Sequence, residues 1–407
     1  MRFTVYSNDW FLEKLDNVCQ FVRDGTHGSF KDVEIGIPLL SAKDIFDGKI
    51  NINENSRLIS IDDYNTIHKN YELTKGDILL TIVGTIGRTA MVNMDEKFTL
   101  QRSVAILRVN EQISYNFLYY YIQTSAFQNR LKSVVNQSAQ GGVYLNSLKK
   151  LNIKLTADMN EQNKISSFLS IIDKKIELLE QKYQYYQEFK KYLMQQIFTQ
   201  KLRFNFTDEW DKVLLKDVAF IPKKTKLTNI EGLKLLTVKL HTKGIEINDR
   251  IKPKLTKRGR PYYIRRSGEL LIGRQNFHNG GMGIVPKSLD GGICSNAISS
   301  FNVFEDKIDV NYLYYFLARP EYYIKSERLI GGTGQKEFSE KELLKLKIDL
   351  PSLEEQNKIV DFLSNIDHKI ELSENQLNKT QEFKKGLLQQ MFIVQLILSL
   401  LQNKKHI

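Results

Sequence analysis

Two stretches of the chain carry apolar residues at alternating steps of four and three, the spacing that places them on one face of an α-helix. In the first stretch these positions are Ile165, Leu169, Ile172, Ile176, Leu179, Tyr183, Tyr186, Leu193 and Ile197, with Lys190 interrupting the series. In the second they are Ile359, Leu363, Ile366, Ile370, Leu377, Leu387 and Met391, with Ser373, Thr380 and Lys384 at the remaining core positions. The pattern predicts two long helices that pack through these faces.

Each predicted helix begins at a capping sequence, Asp158 with Glu161 in the first and Ser352 with Glu355 in the second. The segments are copies of each other, because 161–198 aligns without a gap to 355–392 and about 24 of the 38 positions are identical. The first helix leaves one globular region and the second returns from the other, so pairing of the two seams requires an antiparallel coiled coil. The alternative is that each helix packs separately on its own globular region.

Weaker matches in the same order relate the globular regions that precede the helices. Trp10, Leu15 and Val18 recur as Trp210, Leu215 and Val218. We therefore predict an α+β protein with two similar mixed α/β domains, separated by two long helices in an antiparallel coiled coil with an approximate two-fold axis. The predicted boundaries are 1–157 for the first domain, 158–200 for the first helix, 201–351 for the second domain, 352–394 for the second helix and 395–407 for a C-terminal tail.

The apolar run that starts at Ile393 has no counterpart after the first helix. It extends the second helix, covers a partner surface or reflects an altered reading frame, and the sequence leaves these three explanations open.

The formal net charge of +12 favours a polyanionic partner, and the alternative is a basic protein whose charge only keeps it soluble. By our count the first domain carries about +2, the second about +10 and each helix about zero, which favours DNA contacts by the domains and protein contacts by the helices. The N-terminus has no apolar signal core and no stretch approaches about 20 apolar residues, so we expect a cytoplasmic protein without membrane contact. The two cysteines, Cys19 and Cys294, predict neither a disulfide framework nor a zinc site.

Long amide and guanidinium side chains on loops are the candidates for reading base edges, whereas clustered cations suit phosphate contacts. In the first domain the candidates are Arg88, Gln101, Arg102, Asn136, Gln137 and Gln140. In the second domain they are Arg274, Gln275, Asn276, Gln335 and Lys336, with the basic residues Lys252, Lys254, Lys257, Arg258, Arg260 and Arg265. The runs Tyr119–Tyr121 and Tyr314–Phe316 suggest stacking platforms for bases, but their Leu-containing segments favour buried helices.

Two variable globular regions thus alternate with two near-identical helices, each opening with Glu-Gln-Asn-Lys-Ile and closing on Phe-Lys-Lys and Gln-Gln before a final Phe. Over essentially the whole chain this resembles the specificity (S) subunits of type I restriction–modification systems. The resemblance implies that the globular regions are target recognition domains for double-stranded DNA and that the helices space them. It also implies, as partners, two methyltransferase (modification) subunits and, through that complex, motor-nuclease restriction subunits.

Signatures of catalysis are missing from the sequence. The chain has no Pro-Pro pair of the kind that adenine methyltransferases carry in their catalytic loop. The glycine-containing segments Gly84–Arg88 and Gly331–Lys336 lack the context and residue order of nucleotide-binding loops, and the six histidines show no metal-binding spacing. We therefore predict a non-catalytic subunit without metal or cofactor. A self-contained DNA-modifying or cleaving enzyme with an unrecognised site and a coiled-coil scaffold without DNA specificity are the alternatives.

The predicted helix length also bears on the DNA target. A helix of about 40 residues is about 60 Å long, whereas one turn of DNA takes about 34 Å. We expect the two domains to read different half-sites between one and two turns apart, with unread bases between them. The expected target is bipartite and asymmetric.

Overall fold

The computed structural model describes residues 10–135, 141–256, 259–326 and 337–392. The chain forms two compact units, of which unit 1 comprises Met1–Glu180 and Asn375–Ile407 and unit 2 comprises Gln181–Glu374. The unit boundaries fall within the two long helices rather than at their ends. Each unit therefore contains one globular domain, half of one long helix and half of the other.

The domain of unit 1 is built on a four-stranded antiparallel sheet in the order β2-β10-β7-β8, formed by Cys19–Asp24, Val104–Val109, Ile78–Thr81 and Thr89–Met91. Strand β1 (Trp10–Lys14) pairs with β11 (Asn152–Thr156). A smaller sheet has the order β6-β3-β9, and a hairpin joins β4 to β5. Their bounds are Leu58–Ile59, Ile37–Leu40, Thr99–Leu100, Ile45–Phe46 and Lys49–Ile50, and the helices are α1 Ile61–Ile67, α2 Tyr115–Ile122, α3 Ser125–Val135 and α4 Leu145–Lys149.

The domain of unit 2 repeats this plan. Its four-stranded sheet has the order β13-β20-β17-β18, formed by Ala219–Phe220, Ile298–Val303, Leu270–Gly273 and Met282–Ile284. Strand β12 (Asp211–Leu214) pairs with β21 (Lys347–Leu350), as β1 pairs with β11 in unit 1. The remaining elements are β14 Leu236–Val238, β15 Ile245–Ile247, β16 Tyr262–Ile264, β19 Ile293–Ser295, α6 Leu215–Val218, α7 Val310–Leu317, α8 Pro320–Ser326 and α9 Glu340–Leu343.

One inner strand of each four-stranded sheet carries a run of three apolar residues, because it separates two cores. In β7, Ile78 and Leu80 belong to the core beneath α2, whereas Leu79 belongs to the core on the other face of the sheet. In β17, Leu270 and Leu271 are divided in the same way. Successive side chains of a strand point to opposite faces, so a strand covered on both faces shows a continuous apolar run.

The tyrosine-rich segments form the helices that pack on these sheets. Tyr120 and Tyr121 in α2 are 4% and 2% exposed, and Tyr315 and Phe316 in α7 are 5% and 1% exposed. Rings this deeply buried cannot stack on nucleic-acid bases. Of the two interpretations of these segments, the buried helix is correct.

The two long helices are α5 (Met159–Phe198) and α10 (Leu353–Phe392), each of 40 residues. In unit 1, Asp173 of α5 contacts Lys384 of α10, and Glu180 of α5 contacts Gln381. Residue numbers rise along one helix as they fall along the other, so the pairing is antiparallel as predicted. The paired halves also pack on the domain, because Ile165 and Leu169 share a core with Leu387 and Phe392 and with the domain's own residues. Pairing of the helices and packing on the domain therefore occur together.

The Glu-Gln pair that opens each long helix attaches it to the domain. Gln162 accepts from the Ser114 backbone N–H at 2.8 Å, and Gln356 accepts from the Asp309 backbone N–H at the same distance. One half of the predicted capping box is present at each start, because the Asp158 and Ser352 side chains accept from the backbone N–H of Glu161 and Glu355. Both glutamates are buried.

The two glutamate carboxylates contact tryptophans of their domains. Trp210 donates its indole N–H to Glu355 at 3.0 Å, and Trp10 contacts Glu161 at 3.4 Å. Arg203 adds two hydrogen bonds to Glu355. The paired carboxylate and guanidinium satisfy each other at a buried position, where an unpaired charge would be costly. The recurrence of Trp10 as Trp210 therefore reflects the attachment of each domain to its helix.

A second repeated contact, which we call the Lys–Asp–Tyr contact, joins the domain to both long helices. In unit 1, Lys384 of α10 lies 2.6 Å from Asp173 of α5, and the Tyr120 hydroxyl donates to Asp173 at 2.9 Å. In unit 2 the same roles belong to Lys190, Asp367 and Tyr315, with distances of 2.5 Å and 2.7 Å. Each lysine stands where the helix seam would otherwise hold an apolar residue. Its charge is satisfied there by the aspartate and by the face of the tyrosine ring.

Tyr315→Phe tests the contribution of this contact. The change removes a hydrogen bond from a buried hydroxyl to a charged acceptor, and we expect it to lower the free energy of unfolding by about 1.5–3 kcal/mol. Tyr185→Phe is the matched control, because Tyr185 is 59% exposed on α5, and should cost less than about 0.5 kcal/mol. Urea denaturation followed by circular dichroism measures both, and equal losses would contradict the assigned role.

Candidate nucleic-acid interface

Three loops meet at one edge of the domain in unit 1. The Ile82 backbone N–H donates to Ser103 O at 2.9 Å, and the Val143 N–H donates to Ile82 O at 2.8 Å. The β7–β8 loop (82–88), the turn at 101–103 and the segment at 141–143 are thereby held together, and we call this meeting point edge 1. The predicted residues Arg88, Gln101 and Arg102 lie on two of its three loops, and Arg102 is exposed.

The glycines of edge 1 shape a tight hairpin loop. Gly84 and Gly87 have φ values of 78° and 91°, in the left-handed region that favours glycine. The Thr81 hydroxyl donates to Thr85 O and accepts from the Arg88 backbone N–H at 2.9 Å. The loop leads into strand β8 and not into a helix, so it lacks the helix N-terminus of a phosphate-binding turn. What it does is fix the backbone of Arg88.

Arg88 borders a cleft of about 770 Å³ between the domain of unit 1 and its two helix halves. The cleft is lined by both cationic and acidic side chains. The cations include Lys49, Lys174 and Lys385, and the carboxylates include Glu177 and Glu180. Because the charges offset one another, this cleft has no strong preference for an anion.

A second cleft of about 580 Å³ in unit 1 contains cations that sequence reasoning missed. The Arg23 guanidinium lies 3.5 Å from the ring centroid of Tyr71, and His27 also lines the cleft. The Arg102 backbone N–H donates to Thr26 O, so the cleft borders edge 1. The sequence offers little indication of this role, because Arg23 has no lysine or other arginine near it in the chain. Its counterpart in the repeat is Lys223, and a basic residue in both copies was the available clue.

Unit 2 has an equivalent edge built by equivalent hydrogen bonds. The Arg274 backbone N–H donates to Ala297 O at 3.1 Å, and the Phe338 N–H donates to Arg274 O at 3.0 Å. The β17–β18 loop, the turn at 295–297 and the segment at 337–338 therefore meet as their counterparts do in unit 1, and we call this edge 2. Exposed Asn296 occupies the place of Arg102. It was not among the predicted residues, although the repeat alignment could have found it.

The predicted residues of edge 2 share one carboxylate. Glu337 accepts from Arg274 at 2.5 Å and from the Gln275 amide at 3.3 Å, whereas Asn276 is exposed. Burial raises the pKa of Glu337, but the hydrogen bonds from Arg274 and Gln275 outweigh it and hold that pKa below its usual value. Glu337 therefore remains ionised and paired near neutral pH.

The basic segment of unit 2 divides into exposed and buried residues. Lys252, Lys254 and Arg260 are exposed, as phosphate contacts require. Arg265 is 3% exposed and donates to the Ile298 backbone O at 2.7 Å. The expectation that Arg265 contacts phosphate is wrong, because its side chain, just after strand β16, is buried in the domain and its guanidinium is bound to the Ile298 backbone.

The remaining predicted DNA-contacting residues lie outside the described residues. They are Asn136, Gln137, Gln140, Lys257, Arg258, Gln335 and Lys336. For these the assignment to the interface stays a prediction.

The residues predicted to form the helix seam differ in burial. Ile165, Leu169 and Ile172 in unit 1 and Ile359, Leu363 and Ile366 in unit 2 are buried. Leu193, Ile197, Leu387 and Met391 are buried as well. The half-buried seam residues are Ile176, Leu179, Tyr183, Tyr186, Ile370 and Leu377.

The described residues include two buried cysteines and no candidate metal-binding cluster. Cys19 and Cys294 are buried, and burial raises their thiol pKa values to about 12 and about 11. Within 10–135, 141–256, 259–326 and 337–392, no cluster of His, Cys, Asp and Glu has the composition of a metal site. No helix in these ranges is both long and apolar enough to cross a bilayer.

Comparisons with known proteins agree on one family. The sequence profile described as "Type I restriction modification DNA specificity domain" matches residues 9–185 and 207–382. Two proteins of Methanocaldococcus jannaschii, which carry the names of the type I restriction enzyme MjaX and MjaVIII specificity subunits, are 25% and 23% identical to the chain. Both alignments cover 93% of this chain, with 92% and 91% of the relatives.

Two solved structures share the fold. The crystal structure of a type I restriction–modification system S subunit from M. genitalium superposes with a TM-score of 0.61 at 16% identity, covering 95% of this chain and 96% of that one. A chain from a structural study of complex assembly and conformational transition in a type I system gives 0.54 at 17% identity, covering 95% and 99%. The mixed α/β domains and long helices are therefore a known architecture.

Arg274→Ala and Lys254→Ala should have different effects on DNA binding. Loss of a base contact lowers discrimination between matched and mismatched DNA by about 1–3 kcal/mol, whereas loss of a phosphate contact weakens binding to all sequences and reduces the salt slope by about one unit. We expect the first result for Arg274→Ala and the second for Lys254→Ala. Fluorescence anisotropy over a range of salt concentrations measures both, and equal losses on matched and mismatched DNA would remove Arg274 from the base-reading set.

Proposed function

Because the chain belongs to the family of type I restriction–modification DNA specificity domains, we propose that it reads a bipartite, asymmetric DNA target and brings methyltransferase and restriction subunits to it. The family consists of specificity subunits, which are non-catalytic components of these systems. We propose a cytoplasmic location for the chain, as for type I specificity subunits in general. The chain itself needs no cofactor in this role.

The observation that carries the proposal is the recurrence of one edge with different residues. The same backbone hydrogen bonds assemble edge 1 and edge 2, yet Arg102 stands where edge 2 has Asn296. Arginine pairs best with guanine and asparagine with adenine, so a fixed frame with exchanged side chains reads different bases. Two such edges in one chain supply two different half-sites, which is the basis of a bipartite and asymmetric target.

The charge distribution supports DNA as the ligand of the domains. Exposed Lys252, Lys254 and Arg260 lie in the same unit as edge 2, and Arg23 borders edge 1. Cations of this kind hold phosphates and set the register of a protein on the duplex, while the edges contact bases. A coiled-coil scaffold without DNA specificity would not require separate sets of phosphate-binding and base-reading side chains.

The long helices suit contact with protein partners. They are close to neutral, and they keep large apolar side chains exposed, such as Leu178 and Phe383 in unit 1 and Tyr185 and Tyr192 in unit 2. Exposed apolar positions at helical spacing are typical of faces that bind a partner helix. We propose that two methyltransferase subunits dock on these helices and adjoining domain faces, and that restriction subunits join through that complex.

Methylation mapping tests the proposed function. A methyltransferase subunit encoded beside this chain is expressed with and without it in a host that lacks other modification, and the host DNA is sequenced for modified bases. We expect one bipartite, asymmetric motif to be methylated only when both proteins are present. Methylation or cleavage by the chain alone would favour the self-contained enzyme, and an absence of any selected motif would favour the scaffold.

The double change Ile172→Asp and Ile176→Asp should abolish assembly with methyltransferase subunits. Ile172 is 9% exposed and Ile176 packs on the same core, so each carboxylate would lose its hydration without gaining a partner, at a cost of several kcal/mol. Co-purification of tagged chain and methyltransferase is the measurement. Lys175→Asp, at an exposed position of the same helix, is the control and should leave assembly intact. Survival of the complex with both isoleucines replaced would show that an intact helix core is not required for assembly.

One heptad inserted before Gln181 and another before Asn375 should lengthen the unread gap in the DNA target. The insertions fall at the boundaries of the two units, so they leave every contact inside each unit in place. Seven residues add about 10 Å of helix, which corresponds to about three base pairs. Methylation mapping should show a longer gap between unchanged half-sites. An unaltered gap in a properly assembled complex would show that the helices do not set the spacing.

A further inference from the structure

Glu337 occupies an unusual place in edge 2, between the two side chains with the strongest potential for base contact. It accepts one hydrogen bond from Arg274 and another from Gln275. Its neighbour Phe338 donates its backbone N–H to Arg274 O, so the segment that carries the carboxylate is also tied to the arginine's backbone. A single acidic residue therefore controls the position of both predicted readers.

The surroundings of Arg274 restrict its guanidinium further. The Arg274 and Glu337 side chains are each 23% exposed, and the Arg274 Nε is buried without a hydrogen-bond partner among the residues that the structure describes. A cavity of about 300 Å³ borders Arg274 and Asn296. An ion pair held in a partly enclosed place loses little freedom when DNA binds, because the rotamer is already selected.

The pair also changes what Arg274 contributes electrostatically. An unpaired arginine that meets a phosphate releases counterions and strengthens binding to every sequence. Arg274 and Glu337 together carry no net charge, so the pair adds little to this general attraction. Exposed Lys252 and Lys254 supply that attraction in the same unit.

The guanidinium has five N–H donors in a fixed fork. Its Nε is buried and one terminal nitrogen donates to Glu337, which leaves the remaining N–H groups of the two terminal nitrogens for a ligand. In the major groove guanine presents two acceptors side by side, whereas adenine presents one acceptor and one donor. A guanidinium held in one orientation can donate to both acceptors of guanine. Against adenine, one of its N–H donors would face the donor of the base. The chemistry therefore favours a guanine edge as the ligand of Arg274.

We propose that Glu337 is a positioning residue for sequence discrimination in unit 2: its carboxylate orients and neutralises Arg274, so that Arg274 distinguishes a guanine from other bases instead of binding DNA in general. This inference rests on the proposed function. It predicts an effect of opposite sign from that of an ordinary DNA contact, because loss of the carboxylate should strengthen binding to unrelated DNA while it weakens selectivity.

The test compares Glu337 variants in the complex of the full chain with its methyltransferase subunits. Binding is measured on the target found by methylation mapping and on duplexes with single base pairs exchanged in the unit 2 half-site, at several salt concentrations. For Glu337→Gln we expect about a tenfold loss of discrimination at one G·C pair, the same pair that Arg274→Ala affects. We also expect tighter binding to unrelated duplex and a salt slope steeper by about one unit.

Two further variants separate charge, position and folding. Glu337→Asp keeps the charge and shortens the side chain, so it should keep the wild-type salt slope and lose part of the discrimination. Glu305→Gln removes a charge from an exposed position of the same unit and should leave discrimination unchanged. Thermal melting of each complex confirms that the variants are folded, and the aspartate variant carries the test if the glutamine variant is not.

The outcomes distinguish this inference from the proposed function. Wild-type discrimination in Glu337→Gln, or an equal loss of affinity on all duplexes with a shallower salt slope, would overturn the role of Glu337 and leave the proposed function standing. A wild-type complex that selects no motif would contradict the proposed function itself, and this inference with it.

Discussion

A contact of lysine, aspartate and tyrosine joins each domain to both long helices, and the arrangement of each unit depends on it. The lysine comes from one helix, the aspartate from the other and the tyrosine from the domain. Burial and then the adjacent carboxylate raise the pKa of Tyr120 and of Tyr315, so both hydroxyls stay protonated and donate. A charged pair at a seam position has few satisfactory partners, which specifies one alignment of the helices where apolar residues alone would allow several.

This contact explains why the two copies match in their helices and diverge in their loops. The residues that form it, together with Gln162 and Gln356 at the helix starts, are the same in both copies and build the frame. Edges 1 and 2 lie at loops that the frame positions but does not restrict in sequence. Under the proposed function, exchange of a loop side chain should change the bases that are read and leave the fold and the partner faces unchanged.

Elements that follow from a periodic pattern or from the internal repeat could be predicted from the sequence. Positions that depend on one particular side-chain contact could not. Helix bounds, antiparallel pairing and the buried Tyr120 follow from spacing and from the repeat. Lys384 occupies a seam position where an apolar residue is expected, and its partner could not be predicted, because the sequence does not show that Asp173 faces it. Arg265 stands among cations in the sequence, which predicts a surface position, but its side chain is buried and donates to the Ile298 backbone. The contacts of Glu337 could not be predicted, because the sequence does not show that it lies beside Arg274 and Gln275.

The central claim is that each domain is an exchangeable reader on a common frame. Replacement of residues 10–156 by a second copy of 210–350 tests it most directly, because both long helices offer a domain the same Glu-Gln pair, aspartate and lysine. Methylation mapping of the chimera with its methyltransferase should show a motif in which the unit 1 half-site is replaced by a second copy of the unit 2 half-site. An assembled, folded chimera that still methylates the original motif would contradict the account.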